Sequence, residues 1–190
     1  TSDQYAGAAA GEIDDPRIWS EIIRQWSTLH PEFAFLPRKF KIAVSAGATD
    51  RAATGFHDIG LRMVKNRGGE IGFRVLVGGG QGRTPRAAQV LNAFLPTLHL
   101  LSYLEAILRV YNAAGRRDNI YKARIKILVE AMGISAFADA VNSEWLGLQS
   151  NGLDLPVAEQ DRILAHFAPP VLKPVRDGSA EVLARRQADK

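Results

Sequence analysis

Residues 59–77 read Ile59-Gly60-Leu61-Arg62-Met63-Val64-Lys65-Asn66-Arg67-Gly68-Gly69-Glu70-Ile71-Gly72-Phe73-Arg74-Val75-Leu76-Val77, and their reading decides the fold class. Two apolar segments, Ile59 to Val64 and Phe73 to Val77, flank the polar stretch Asn66 to Glu70. That spacing predicts a β-hairpin with a glycine-containing loop. Upstream, Lys39 to Ala46 (KFKIAVSA) alternates, so Phe40, Ile42 and Val44 share one face of a further strand. The small, polar residues between Ala46 and Phe56 (GATDRAATG) read as an exposed loop.

The flanks read as helical. Asp15 can cap and Pro16 can open a helix from Pro16 to Ser27, with Ile18, Trp19, Ile22, Ile23 and Trp26 at three- and four-residue spacings. Pro31 and Pro37 bracket a short connection. After Val77, the run Gly78-Gly79-Gly80-Gln81-Gly82-Arg83 leads into Thr84-Pro85, a helix cap and first turn, and everything beyond is expected to be helical. The expected helices run from Leu98 to Ala114, Asn119 to Met132, Ala136 to Trp145 and, more weakly, Val157 to Phe167, stopping at Pro169-Pro170. Beyond Pro174 a frayed helix or disordered tail is expected. The architecture is α+β: a small, mainly antiparallel sheet covered by helices. Residues 1–150 form the domain, and 151–190 are expected to be a linker or tail.

Composition narrows the function. The 190 residues suit one well-buried domain. With 46% hydrophobic and 23% charged residues, the chain is too apolar for wholesale disorder. No apolar run is long enough to cross a membrane, and the N-terminus lacks the basic start and apolar core of a signal peptide. Zero cysteines exclude disulfides, a thiol nucleophile and any cluster held by this chain's own thiolates. Lys+Arg 24 against Asp+Glu 20 leaves a net charge of +4, which suits an anionic ligand and is too small to demand nucleic acid.

Three features carry candidate chemistry. Lys39 and Lys41, two apart on the strand, present their ammonium groups on one face about 7 Å apart. The pair either binds a small oxyanion or a carboxylate-bearing cofactor, or protects a strand edge in solvent. Arg38 adds a third charge. The glycines Gly78, Gly79 and Gly80 fail both nucleotide motifs: Arg83 stands at the sixth position of G-x-G-x-x-G, and Val77 at the first glycine of a phosphate loop. A close backbone approach to a flat ligand and a tight turn both remain open there. The segment Arg116 to Lys126 holds five basic residues, with Lys122 and Lys126 expected on one helix face and Arg124 pointing elsewhere. It is either a solvated surface or an anion-binding one, and no interleaved aromatics favour single-stranded nucleic acid. His30, His57, His99 and His166 match no metal spacing, so no metal site is expected.

Several of these segments together resemble the sirohaem-dependent nitrite and sulfite reductases: Phe35-Leu36-Pro37-Arg38-Lys39-Phe40-Lys41-Ile42, Asp58-Ile59-Gly60-Leu61, Gly72 to Gly80, Tyr103-Leu104-Glu105-Ala106-Ile107, Arg116-Arg117-Asp118-Asn119 and Lys122-Ala123-Arg124-Ile125-Lys126. The resemblance covers roughly Tyr5 to Leu148. It implies an α/β domain of the first of two pseudo-symmetric halves that clasp sirohaem coupled to a 4Fe–4S cluster. Lys39 and Lys41 would bind sulfite or nitrite and deliver protons during six-electron reduction, with Arg38, Gly78, Gly79 and Gly80 near the cofactor. The family's cluster cysteines lie in the second half, so no cofactor is expected on this chain alone. Gln81 stands where the family more often has leucine. The resemblance further implies a cytoplasmic fragment of a larger enzyme, partnered by its remaining domains and by a ferredoxin or flavoprotein electron donor, without nucleic acid or membrane. The rival reading is a stand-alone, non-catalytic anion-binding or scaffold domain.

Overall fold

The computed structural model describes residues 2–149, 154–168, 171 and 178–188. Helix α1 (Pro16–Ser27) starts where expected: the Asp15 carboxylate accepts the Arg17 N–H at 2.9 Å, and Pro16 follows in the first turn. Its Ile18, Trp19, Ile22 and Ile23 are buried. Trp19 packs edge-on to Phe73, with ring centroids 5.1 Å apart, and donates its indole N–H to Asp14 at 2.9 Å. A short helix α2 (Pro31–Ala34) occupies the connection between Pro31 and Pro37.

Four strands form one sheet in the order β1 (Ile42–Ser45), β2 (Ile59–Lys65), β3 (Ile71–Val77), β4 (Gln89–Pro96). The expected hairpin is present, with Ile59 opposite Val77 and Lys65 opposite Ile71. In its turn the Asn66 side chain accepts the N–H groups of Gly68 and Glu70. β1 pairs parallel to β2, and the other two pairings are antiparallel. Leu61, Met63, Phe73, Val75, Val77, Leu91 and Leu95 point into a single core with α1, α3 (Leu100–Ala114) and α5 (Ile134–Leu148). The opposite face carries the exposed Arg74 and the half-exposed Val90.

The structure corrects four expectations. Thr84-Pro85 opens no helix. The chain instead forms a ribbon closed by reciprocal Gly80–Arg86 backbone bonds and continues as β4. Second, β1 begins only at Ile42, so Lys39 and Lys41 lie in an extended lead-in and not on regular strand. There the Lys41 N–H goes to a side chain, the Asp58 carboxylate, at 3.0 Å. Third, the segment after Asn119 is broken into a 3₁₀ turn at Ile120–Lys122 and helix α4 (Ile125–Met132), which separates Lys122 from Lys126. Fourth, the loop from 47 to 55 is only partly exposed: Ala52 and Thr54 are buried, and the Asp50 carboxylate accepts the Thr54 N–H and hydroxyl.

Within residues 151–190, Leu155 and, in helix α6 (Val157–Phe167), Ile163 join the core, and Arg162 donates to Gln25 of α1 at 2.6 Å. Helix α7 (Ser179–Ala188) buries no residue. Pro169, Pro170 and Pro174 lie outside the described residues. Among the described residues no helix is long and apolar enough to cross a membrane.

Candidate functional site: a cationic cleft

An open cleft of about 800 Å³ lies between the Arg38–Lys39 segment, the ribbon tip and the chain from Arg116 to Glu130. Among the described residues its lining includes Arg38, Lys39, Arg83, Arg86, Arg116, Lys122, Arg124 and Lys126 against a single carboxylate, Glu130. Ile120 and Tyr121, 55% and 87% exposed, add an apolar and an aromatic surface. Such a surface suits a large anion with a flat, hydrophobic body.

The cations divide into two sets. Arg86 pairs with Glu130, Arg116 with Asp118 at 2.5 Å, and Arg124 with the buried Asp58 at 2.7 Å. Lys126 is 6% exposed, and its ammonium donates to the carbonyls of Thr84 at 2.6 Å, Gln81 at 3.2 Å and Gly80 at 3.5 Å. These bonds make Lys126 a strut beneath the ribbon tip. Burial, and then the neighbouring Arg124, push its ammonium below the ordinary lysine range. Arg38, Lys39, Arg83 and Lys122 have no anionic side chain paired with them among the described residues. They are the charges free to meet a ligand.

Arg38 and Lys39 therefore stand together in the cleft, whereas Lys41 is exposed and outside its lining. The segment that carries them is pinned from both sides. Arg117 donates to the Phe35 carbonyl at 2.9 Å, and Asn112 to the Glu32 carbonyl at 2.8 Å. His30 caps α2, its Nδ1 accepting the Glu32 N–H, and its Nε2 lies 2.9 Å from the buried Glu105 carboxylate. Phe40 packs against Tyr111, with ring centroids 5.7 Å apart.

Gly78, Gly79 and Gly80 are buried next to the cleft. A Cβ on Gly79 would lie 2.5 Å from the His57 carbonyl, and one on Gly80, at φ +155°, would lie 2.5 Å from the Arg124 guanidinium. Close packing and an unusual backbone angle thus both demand glycine here. Among the described residues no group of three or more His, Asp or Glu could hold a metal ion.

The sequence pointed to residues 116–126 only as a density of charge, without separating struts such as Lys126 from the unpaired Lys122. Arg83 was read only as a mismatch to the nucleotide motifs, and Arg86 passed unnoticed as a member of an expected helix. Asp58 had no signal beyond its place in one of the quoted motifs, because a lone aspartate before a strand reads as ordinary.

Comparison with known proteins gives this geometry a context. Residues 1–147 match the family model described as "Nitrite and sulphite reductase 4Fe-4S domain". "Sulfite reductase (ferredoxin) 1" of Mycolicibacterium paratuberculosis is 35% identical over 141 residues, covering 74% of this chain and 25% of that protein. "Ferredoxin--nitrite reductase" of Synechococcus elongatus is 32% identical over 151 residues, covering 76% of this chain and 29% of that protein. The solved structure of the Mycobacterium tuberculosis NirA protein superimposes with a TM-score of 0.68 at 30% identity, over 93% of this chain and 30% of that one. The chain thus spans between a quarter and a third of the length of these relatives. By sequence over most of its length and by fold, it belongs to the nitrite and sulphite reductase 4Fe-4S domain family.

Proposed function

We propose that this chain forms the cationic wall of a sirohaem site in a reductase of sulfite or nitrite, the substrates named in its relatives. The observation that carries the reading is the cleft in which Arg38, Lys39, Arg83 and Lys122 stand without anionic partners among the described residues. Its donor set fits sirohaem, a flat macrocycle edged with carboxylates: unpaired arginines and lysines for the carboxylates, Ile120 and Tyr121 for the ring body. The 4Fe–4S cluster does not fit this chain, which has no cysteine to ligate it. Cluster ligands would come from the remaining domains, and electrons from a ferredoxin or flavoprotein, in a cytoplasmic enzyme.

Sirohaem, when bound, supplies the iron that takes the oxyanion and passes electrons to it. Arg38 would hold the carboxylate edge, with the Gly78–Gly80 backbone against the macrocycle. Lys39 and Lys41 would face the substrate oxyanion, where fixed ammonium groups stabilise accumulating negative charge. They would also hand on protons as oxygen departs as water. Lys41 joins Lys39 in this role when the other domains complete the site.

The test is Lys39→Ala and Lys41→Ala in the full-length enzyme. Turnover is expected to fall by about 10²-fold or more, the scale for removing a group that stabilises transition-state charge. The sirohaem absorbance should be retained. Normal turnover in both variants would overturn the assignment. Loss of sirohaem with turnover would reassign the lysines to cofactor binding.

A further inference from the structure

Asp58 is fully buried, at the junction where three cleft-bearing segments meet. Its Oδ1 accepts hydrogen bonds from Arg124 Nη2 at 2.7 Å and Nε at 3.2 Å. Its Oδ2 accepts the Lys41 N–H at 3.0 Å. Its main-chain carbonyl accepts the Gly78 N–H at 3.0 Å, and the next residue, Ile59, donates back to the Lys41 carbonyl at 3.1 Å. Arg124 also donates through Nη1 to the Gln81 carbonyl at 3.2 Å, and its guanidinium lies where a Cβ on Gly80 would fall. The Lys39–Lys41 lead-in, the glycine turn and the cleft cation Arg124 therefore share one anchor.

We propose that Asp58 is the positioning residue of the cleft: its carboxylate fixes the lysine lead-in and the Arg124 guanidinium in one mutual orientation. This rests on reading the cleft as an anion site. A buried ion pair is a poor device for stability, since well-packed apolar groups often do as well. Orientation is what this carboxylate adds, because its donors come from segments 17 and 66 residues away in the chain. The cost is a negative charge next to a site that collects anions. That cost makes the idea testable by sign.

The probe is inorganic sulfate, titrated into the 190-residue chain and into Asp58→Asn and followed by amide and Arg Nε–H NMR shifts below the unfolding range. As a positioning residue, Asp58 predicts that Asp58→Asn binds sulfate about tenfold more weakly, the scale of one charge-assisted hydrogen bond. The Lys41 amide should also lose its exchange protection. As a mere countercharge it predicts the reverse, since removing an acid makes the cleft more positive. A merely structural Asp58 predicts a lower melting point and unchanged sulfate affinity. Tighter or unchanged binding overturns the proposal. If Asp58→Asn does not fold, the unsubstituted chain decides: the Lys39 and Lys41 amides and the Arg124 Nε–H must report one common Kd, and separate values overturn the proposal. Absence of sulfate binding in the unsubstituted chain overturns the anion-site reading beneath it, a distinct failure.

Discussion

Single residues in this cleft act through what their polar atoms already hold. Lys126 and Lys122 are the same residue type four apart, yet one ammonium is consumed by three carbonyls and the other has no anionic partner among the described residues. The sequence expectation that they share a face failed because a 3₁₀ turn ends between them, at Lys122. The burial pattern of Phe40 and Ile42 was legible from alternation, since both pack on the core, while Lys39 and Lys41 are exposed. The glycine turn offers a prediction at this scale. Its Gly79 has backbone oxygens of His57 and Gly55 at 2.5 and 2.7 Å from any added Cβ, and backbone cannot swing away as a side-chain tip can. Gly79→Ala is expected to lower stability by about 3 kcal/mol in urea unfolding, at the upper end for overpacking. A loss below about 1 kcal/mol would show that the turn relaxes.

The elements show where periodicity misleads. The residues of β4 were expected within a helix opened by Thr84-Pro85, and its inward residues, Leu91 and Leu95, stand four apart, a spacing that a helix face would also show. The register with β3 shifts on both sides of Val75, so the irregular strand replaces alternation with that longer interval. Thr84-Pro85 added a false start signal. Substitutions separate the two readings: a helix facing the core would bury Val90 and Leu91 alike, whereas the strand leaves Val90 49% exposed and Leu91 8% exposed. Leu91→Ala should cost about 2–4 kcal/mol of unfolding free energy, and Val90→Ala less than about 0.5 kcal/mol. Equal losses would contradict the strand. By contrast α1 was read to the residue, because its cap, its opening proline and its apolar stripe agree.

At the scale of the whole molecule, Tyr111 joins the core to the cleft. Its phenol donates to the Ala123 carbonyl at 2.8 Å, and its ring packs on Phe40 just ahead of Lys41. Burial first, and then the negative charge of Asp58, push the phenol up from 10.0 to about 12. Between these values the unfolded chain releases a proton that the folded chain keeps. Stability from this group is therefore complete below pH 10 and lost as pH rises toward about 12. Tyr111→Phe should flatten that alkaline decline in unfolding free energy, while costing about 1 kcal/mol at neutral pH for the orphaned carbonyl. An unchanged alkaline slope would assign the decline to other groups.

By itself the sequence determined the α+β class, the hairpin, most helices, the absence of thiolate chemistry and the family resemblance. These depend on local signals: caps, turn residues, short-range periodicity and composition. Which of the basic residues are free was decided only by tertiary structure. Carbonyls of residues 80, 81 and 84 neutralise the donors of Lys126, and a carboxylate 66 positions away holds Arg124. The same packing broke the helix expected from Asn119 and turned the chain after Pro85 into a strand. Charge and hydrogen-bond valence are spent on whatever the fold brings near, and nearness between distant segments is not written in the spacing of either one.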